Sequence, residues 1–198
     1  MKSTHVFSVL ALAIVLTLGS CRSGKQVTRV DPNSTIDLSG RWNDTDSRLV
    51  ANALIEQVLT GPWLSNFRQD NDGKKPVVIA GMVKNKSHEH IETETFVKDV
   101  EKAFISSQKV RLVQGGEKRE EIRGERADQQ NYSSQNTMKK WGLEIGADFM
   151  MQGTITSIID QEGKQKVVYY QVDLELTHLE TNEVVWIGDK KIKKLIRG

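Results

Sequence analysis

The sequence predicts an α/β (α+β) domain in which helices pack on a mixed sheet that ends in an antiparallel three-stranded meander. Three observations support this fold class. Helical and strand patterns alternate between residues 43 and 113. Apolar and polar residues alternate with a period of two along residues 168–177, as in a strand with one solvated face. Polar turn sequences, at Gly163 and at residues 180–183, separate three strand patterns near the C-terminal end.

The first half of this domain follows the order helix, strand, helix, strand. Residues 43–61 begin with an Asn/Asp/Thr/Asp cluster suited to capping, carry apolar residues on one face and end at a glycine-proline stop, which predicts an amphipathic helix. Residues 75–83 form a nearly continuous apolar run, typical of a strand that is buried on both faces and central in its sheet. A second core-facing helix is predicted over residues 93–107, and a short strand over residues 109–113.

The second half begins with a polar segment and ends in strands. Residues 115–140 carry few apolar side chains, so we expect a solvated helix or mobile loop, or alternatively an arm that contacts a partner. A short helix is expected over residues 138–145. Three strands then follow, over residues 149–159, 167–179 and 184–191.

Composition and charge fit one globular domain and argue against nucleic acid as a partner. The 198 residues are 37% hydrophobic and 27% charged, with 28 basic and 26 acidic side chains interspersed along the chain. A nucleic-acid binder normally gathers a basic excess on one face. The basic end, residues 189–198, is better explained by lysines that protect an edge strand from pairing with another chain than by a membrane or nucleic-acid patch.

The N-terminus has the layout of an export signal. Lys2 precedes an uncharged apolar run over residues 6–18, which is shorter than the roughly 20 residues that span a bilayer. Residues 18–21 read Leu-Gly-Ser-Cys and resemble the bacterial lipobox. This resemblance implies a lipoprotein signal peptide over residues 1–20, with Cys21 lipidated and becoming the first residue after cleavage. The alternative is a simple secretory signal that happens to contain a cysteine.

The residues after the cysteine suggest where the chain is anchored. Arg22 stands where enterobacterial lipoproteins retained at the inner membrane carry aspartate, and this likeness implies sorting to the outer membrane. Residues 22–37 are rich in Ser, Gly, Pro, Asn and charges, which is typical of a tether. Fully extended, a tether of that length reaches roughly 50 Å. We therefore expect a lipidated, flexible segment over residues 21–37 and one globular domain over residues 38–198.

The sequence offers little sign of catalysis. His88 and His90 lie two residues apart, and Glu89 or Glu92 could add oxygen ligands, but a metal site needs three or four ligands and His178 is distant in sequence. We interpret the first two histidines as solvent-facing loop residues. The sequence has no glycine-x-serine-x-glycine elbow, no phosphate-binding glycine loop and no free thiol other than the predicted anchor. We therefore expect neither a metal, a cofactor nor an enzymatic activity.

The sequence Arg-Trp-Asn-Asp at residues 41–44 is the candidate partner-binding site. Arginine and tryptophan are the residue types that most often anchor protein interfaces, so Arg41 and Trp42 are candidate contact residues. The structural interpretation is favoured at this stage: Trp42 would pack as a buried staple beside the first helix, and Asn43 or Asp44 would cap it.

Several ordered segments resemble one family of envelope proteins. They are, in sequence, SGRWNDTDSRLVANALIEQVL, PVVIAGMVKNKSHEHIETETFVKDVEKAF, KVRLV, GADFMMQGTI and VDLELTHLETNEVVW, behind the lipobox. Together they are similar to the LpoB family of outer-membrane lipoproteins. The resemblance implies a non-enzymatic protein that docks on an accessory domain of a class A penicillin-binding protein and activates this peptidoglycan synthase. A structural or assembly lipoprotein of a secretion or flagellar complex is the alternative, and a metal-dependent enzyme the third.

Overall fold

The computed structural model describes residues 25–134, 136–137 and 143–197, and the chain divides into two units between Ser34 and Thr35. Residues 25–34 have one local turn, in which the amide of Ser34 donates to the carbonyl of Asp31 over 2.9 Å. The predicted signal peptide over residues 1–20, the lipidation site Cys21 and the neighbouring Arg22 lie outside the described residues.

The second unit contains helices and strands in the predicted mixture, and the α+β class is confirmed. Its helices are α1 (Asp44–Thr60), α2 (Pro62–Asp70), α3 (Thr93–Ser107) and α4 (Gly116–Tyr132). Its strands are β1 (Val77–Lys86), β2 (Arg111–Val113), β3 (Phe149–Glu162), β4 (Gln165–His178) and β5 (Val184–Arg197).

The five strands form one mixed sheet in the order β2-β1-β3-β4-β5. Strand β1 runs parallel to both of its neighbours, whereas β3, β4 and β5 form the antiparallel meander that the sequence predicts. The prediction that the first strand is central and buried on both faces was only partly correct, because β3 occupies the middle position. Short β2 pairs only with residues 77–79, and the later part of β1 is more exposed.

The meander follows the period-two pattern closely. Strand β4 turns five apolar side chains inward, namely Val168, Tyr170, Val172, Leu174 and Leu176, while the residues between them are half-buried on the other face. The β3–β4 hairpin closes at Gly163, whose φ of 56° is readily adopted by glycine. Strand β5 is an edge strand as expected, but it continues six residues beyond the predicted end at Lys191 because it pairs with β4 as far as Gln165.

The first helix begins and ends where the sequence indicates. Asn43 is the N-cap: its side chain accepts from the amide of Asp46 over 3.1 Å, and the Asp46 carboxylate accepts from the Asn43 amide over 3.0 Å. This is a capping box. On the helix surface Leu49 is about half exposed, whereas Ala51 is buried. The glycine-proline stop also begins the unpredicted helix α2, because proline is well suited to the first turn of a helix.

The polar segment is a solvated helix rather than a loop. Helix α4 has no buried residue. Arg123 on α4 binds both carboxylate oxygens of Glu144, over 2.8 and 2.9 Å, and thereby lowers the pKa of Glu144. Residues 138–142 of the expected short helix lie outside the described residues. For residues 143–145 that prediction was wrong, since they have no helical structure and Glu144 is held by the ion pair instead.

The core lies between the helices and one face of the sheet. Helix α1 packs near β5 and α3 near β1, and the apolar side chains form one cluster. Its largest fully buried members are Tyr170, Phe96, Phe104, Leu54, Met151 and Ile155. Asp46, near the N-terminal end of α1, and Lys194, near the C-terminal end of β5, meet at one corner of the domain, where the candidate site lies.

Candidate functional site

Residues 37–43, which we call the strap, lead into α1 and carry both predicted partner-binding residues. The Trp42 ring packs edge-on against Tyr170, with the ring centroids 5.4 Å apart. Its indole nitrogen donates to the Ser47 hydroxyl over 2.7 Å, and its main-chain amide donates to a Glu89 carboxylate oxygen over 3.0 Å. Trp42 therefore joins α1, the sheet and the loop that follows β1, as the staple interpretation expects, but its ring is half-buried rather than buried.

Arg41 occupies a different environment. It is exposed, and its two hydrogen bonds are made by the main chain: its amide donates to the Ser39 hydroxyl over 3.3 Å, and its carbonyl accepts from Lys194 over 2.9 Å. The backbone of Arg41 is thus fixed while its side chain faces solvent. A guanidinium presented from a fixed backbone is suited to contacting a partner. The role of Arg41 and Trp42 in partner binding remains a prediction.

Lys194 holds the strap to the edge strand. Its ammonium lies 2.7 Å from a carboxylate oxygen of Asp37 and 2.6 Å from one of Asp46, in addition to the Arg41 carbonyl. The Lys194 side chain is only 13% exposed and that of Asp46 only 5%. Burial by itself lowers the pKa of Lys194, but the bonds to the two carboxylates raise it by more, so the net shift is upward.

Two further features fix the strap. Asp37 also accepts a hydrogen bond from the Asn43 side chain over 2.6 Å. The hydrogen bond from Lys194, and to a smaller extent that from Asn43, holds the pKa of the Asp37 carboxyl below its usual value. Gly40 has a φ of 68°, and a Cβ at this position would come within 2.5 Å of the Ile196 side chain. Glycine is therefore favoured here, because another residue would be strained at this φ and would require the end of the Ile196 side chain to move.

The sequence reasoning missed this ion-pair cluster because the lysines near the C-terminus were treated as one class. A signal was present: in a strand, alternate residues share a face, and Lys194 alternates with Ile192 and Ile196. The cross-strand partner of Lys194 is buried Val168, which places it on the core side of the sheet. Lys193, one residue earlier, is exposed, as an edge-protecting lysine should be.

Of the three histidines that could have been metal ligands, two lie in the loop after β1 and the third is the last residue of β4. His88 and His90 are exposed in the loop after β1, and the His88 ring lies 2.9 Å from the Ser157 hydroxyl. His178 contacts Thr181 and packs against Phe149. In the part of the chain that the structure describes, no group of three or more His, Cys, Asp or Glu side chains is arranged to hold a metal ion.

None of the helices in the described ranges combines the length and the apolar character that crossing a membrane requires. The described domain combines an α+β core, a strap held by hydrogen bonds and ion pairs, and an edge strand.

A family model described as "Peptidoglycan-synthase activator LpoB" matches residues 46–192, which is most of the chain. The chain belongs to the LpoB family. The matched region begins at the capping-box residue Asp46 and ends within β5, so it covers all the helices and strands described above except the first two residues of α1 and the last five of β5.

Solved structures of low sequence identity are also similar to this chain. The LpoB C-terminal domain from Salmonella enterica is 16% identical, with 75% of this chain and 99% of that chain covered and a TM-score of 0.42. The same domain from Escherichia coli is 14% identical, with the same coverage and a TM-score of 0.41. The NMR structure of E. coli LpoB is 12% identical, covering 91% of this chain and 85% of that one, with a TM-score of 0.40. No curated protein sequence matches the chain.

Proposed function

We propose that the protein is an outer-membrane lipoprotein that binds a class A penicillin-binding protein and activates its synthesis of peptidoglycan. The observation that carries this proposal is the match of residues 46–192 to the peptidoglycan-synthase activator family. The ordered segments quoted from the sequence support the same family independently of the fold. In this proposal the protein performs no chemistry itself and acts only through contact with the synthase.

Anchoring at the outer membrane is part of this proposal. It is supported by the lipobox-like residues 18–21, by Arg22 after the cysteine and by the tether-like composition that follows. A diacylglyceryl group and an N-acyl chain on Cys21 would supply the two or more hydrocarbon chains that stable attachment requires. Since Asp37 is held by Lys194, the reach of the domain is set by the residues between Cys21 and the strap, roughly 50 Å when fully extended.

Activation by contact requires that the protein distinguish two states of the synthase. A partner that binds the active and the resting state equally well shifts no population. A preference of about 1 to 3 kcal/mol for the active state would raise the synthetic rate several-fold to about a hundred-fold. The strap is a suitable platform for such a preference because its backbone is fixed before binding, which reduces the entropy lost on association.

The test is a glycan polymerisation assay with the lipidated full-length protein in detergent, with and without each class A synthase of the source organism. We expect saturable binding and an increased rate for at least one synthase, and no change in peptidoglycan incubated with the protein alone. An unchanged rate and no binding for every synthase would refute the proposal.

The anchor is tested separately. Cys21→Ala should release the protein from the membrane fraction or leave it attached through an uncleaved signal, while Ser20→Ala should remain lipidated. Mass spectrometry of the wild-type N-terminus decides the point, since an unlipidated mature terminus would contradict the anchor.

A further inference from the structure

A cleft of about 690 Å³ lies at the end of the sheet opposite the strap, between α2 and the turn that joins β4 to β5. Its volume falls within the roughly 300 to 1,000 Å³ that is usual for ligand clefts. None of the strap residues lines it. The cleft is therefore a second candidate surface, separate from the site described above.

The floor of the cleft is aromatic and held in place. Phe149 lies at its centre, with edge-to-face contacts to Trp63, Phe67 and His178 at ring-centroid distances of 5.3, 5.4 and 5.1 Å. The Trp63 indole donates to the Val58 carbonyl over 2.7 Å, which fixes that ring against the end of α1. Trp63 and Phe149 are only 4% and 3% exposed, so they support the floor, and the half-buried ring of Phe67 is the aromatic surface that can contact a positively charged group with an apolar stem.

The charges around the cleft are of one sign. Four carboxylates line it, from Asp70, Asp148, Glu180 and Glu183, and no lysine or arginine does. None of the four takes part in an ion pair among the described residues. Asp148 accepts from the Val77 amide and Glu183 from the Thr181 hydroxyl, whereas Asp70 and Glu180 are exposed at the rim. The cleft is thus complementary to a cation.

The basic end of this chain is poorly placed to fill its own cleft. Strand β5 begins at the cleft and ends at Arg197, and at about 3.3 Å per residue its two ends are roughly 45 Å apart. Two of its lysines are already paired, Lys191 with Asp189 and Lys194 with Asp46. The basic end of β5 therefore does not reach the cleft of its own chain, and the acidic lining without a basic residue leaves the cleft complementary to a cationic group from another molecule.

We propose that this cleft binds an arginine-bearing segment of a partner protein. The guanidinium would lie between Asp70 and Glu180, and its alkyl stem would lie along the half-buried ring of Phe67. Arginine suits this chemistry because its planar group binds carboxylates and stacks on aromatic rings. Val184, the first residue of the edge strand, is 53% exposed beside the cleft and offers apolar contact to the neighbouring residue of such a segment. The inference does not depend on which protein supplies the segment, and so stands apart from the proposed activation of a synthase.

The test uses a fluorescein-labelled pentapeptide that contains two arginines, and a twin in which citrulline replaces both. Citrulline keeps the shape of arginine but is neutral. Fluorescence anisotropy with the full-length protein in detergent should show saturable binding of the arginine peptide, weaker at higher salt, and much weaker binding of the citrulline twin. Asp70→Asn and Glu180→Gln should each weaken binding roughly two- to five-fold, the usual effect of losing one exposed charge pair.

Glu162→Gln is the matched control, because Glu162 is an exposed acid at the far end of β3. Its peptide affinity should be unchanged. Equal binding of the two peptides, no saturable binding at low salt, or an equal loss in the control variant would overturn the proposal. It would also be overturned if sedimentation showed a dimer that Asp70→Asn and Glu180→Gln dissociate, since the occupant would then be a second copy, or if calcium ions bound the cleft and the peptide did not. Circular dichroism of the variants confirms that each is folded.

Discussion

Replacing Lys194 with methionine should destabilise the domain strongly. Methionine retains most of the length of the side chain but removes the charge that neutralises Asp46, whose side chain is only 5% exposed. Removing one partner of a buried ion pair typically costs about 3 to 5 kcal/mol, because the remaining charge is left without compensation. For Lys194→Met we expect a cost at the lower end of this range, about 3 kcal/mol. Asp46 still accepts the hydrogen bond from the Asn43 amide, and the Asp37 side chain is about half exposed, so water can solvate its charge.

The measurement is the free energy of unfolding from urea titration. Lys193→Met is the matched control: it removes the same charge one residue away, from an exposed position, and should change stability by no more than about 0.5 kcal/mol. Adding Asp46→Asn to Lys194→Met should restore much of the loss, because no buried charge then remains. A cost below about 1 kcal/mol for Lys194→Met, as for an exposed pair, would refute the reasoning. So would a double variant as unstable as the single one.

Three other measurements test the packing and the ionisation of the same domain. Phe96→Ala should cost about 3 to 5 kcal/mol of unfolding free energy because the ring is fully buried in the core; a cost below about 2 kcal/mol would contradict this. Gly153→Ala should cost about 1 to 3 kcal/mol, since its Cβ would overlap the Asp173 carbonyl on the neighbouring strand, and a neutral effect in urea titration would show that the strands can separate. Stability should also fall as pH rises above about 10, because the pKa values of Lys194 and Tyr170 are raised by the fold, and a group with a raised pKa loses its contribution as pH rises through that value. Constant stability between pH 9 and 11 would contradict the raised values.

The parts of the fold that could be predicted from the sequence are those in which local pattern and tertiary environment agree. Strand β4 alternates apolar and polar residues because one face meets the core, and α1 carries its own cap and stop signals. Helix α2 was missed because proline at residue 62 was taken only as an end, although the first turn of a helix accommodates proline well. The central position of β3 was missed because the order of strands in a sheet is set by long-range pairing, which the local sequence pattern does not show. Short β2 pairs with only the first part of β1, so most of β1 has β3 as its single neighbour.

The two surfaces described above depend on residues distant in sequence, which limits what the sequence can indicate. Lys194 meets Asp37 and Asp46 only because β5 extends beside α1. The cleft joins α2 with residues of β3 and β5, so its acidic character cannot be seen in any one segment. By contrast, Arg41 and Trp42 are adjacent in sequence, and their residue types drew attention to the strap before its contacts were known.

Arg41 and Trp42 should nevertheless behave differently when each is changed. Trp42→Phe keeps a ring against Tyr170 but removes the bond to Ser47, so it should cost about 1 kcal/mol of stability. Arg41→Ala should leave stability unchanged within about 0.5 kcal/mol, because the hydrogen bonds of Arg41 to the described residues are made by its main chain and its side chain is exposed.

If the strap contacts the synthase, as the proposed function suggests, Arg41→Ala should weaken binding about tenfold or more, as expected for an interface arginine. Trp42→Phe should weaken it only as far as it loosens the strap. Pairing urea titration with a binding assay separates the two effects: a variant that loses affinity without losing stability has lost a contact with the partner. Unchanged affinity for Arg41→Ala would remove Arg41 from the interface, and the search for the synthase contact would then move to the exposed face of the sheet and to α4, where side chains are not committed to the core.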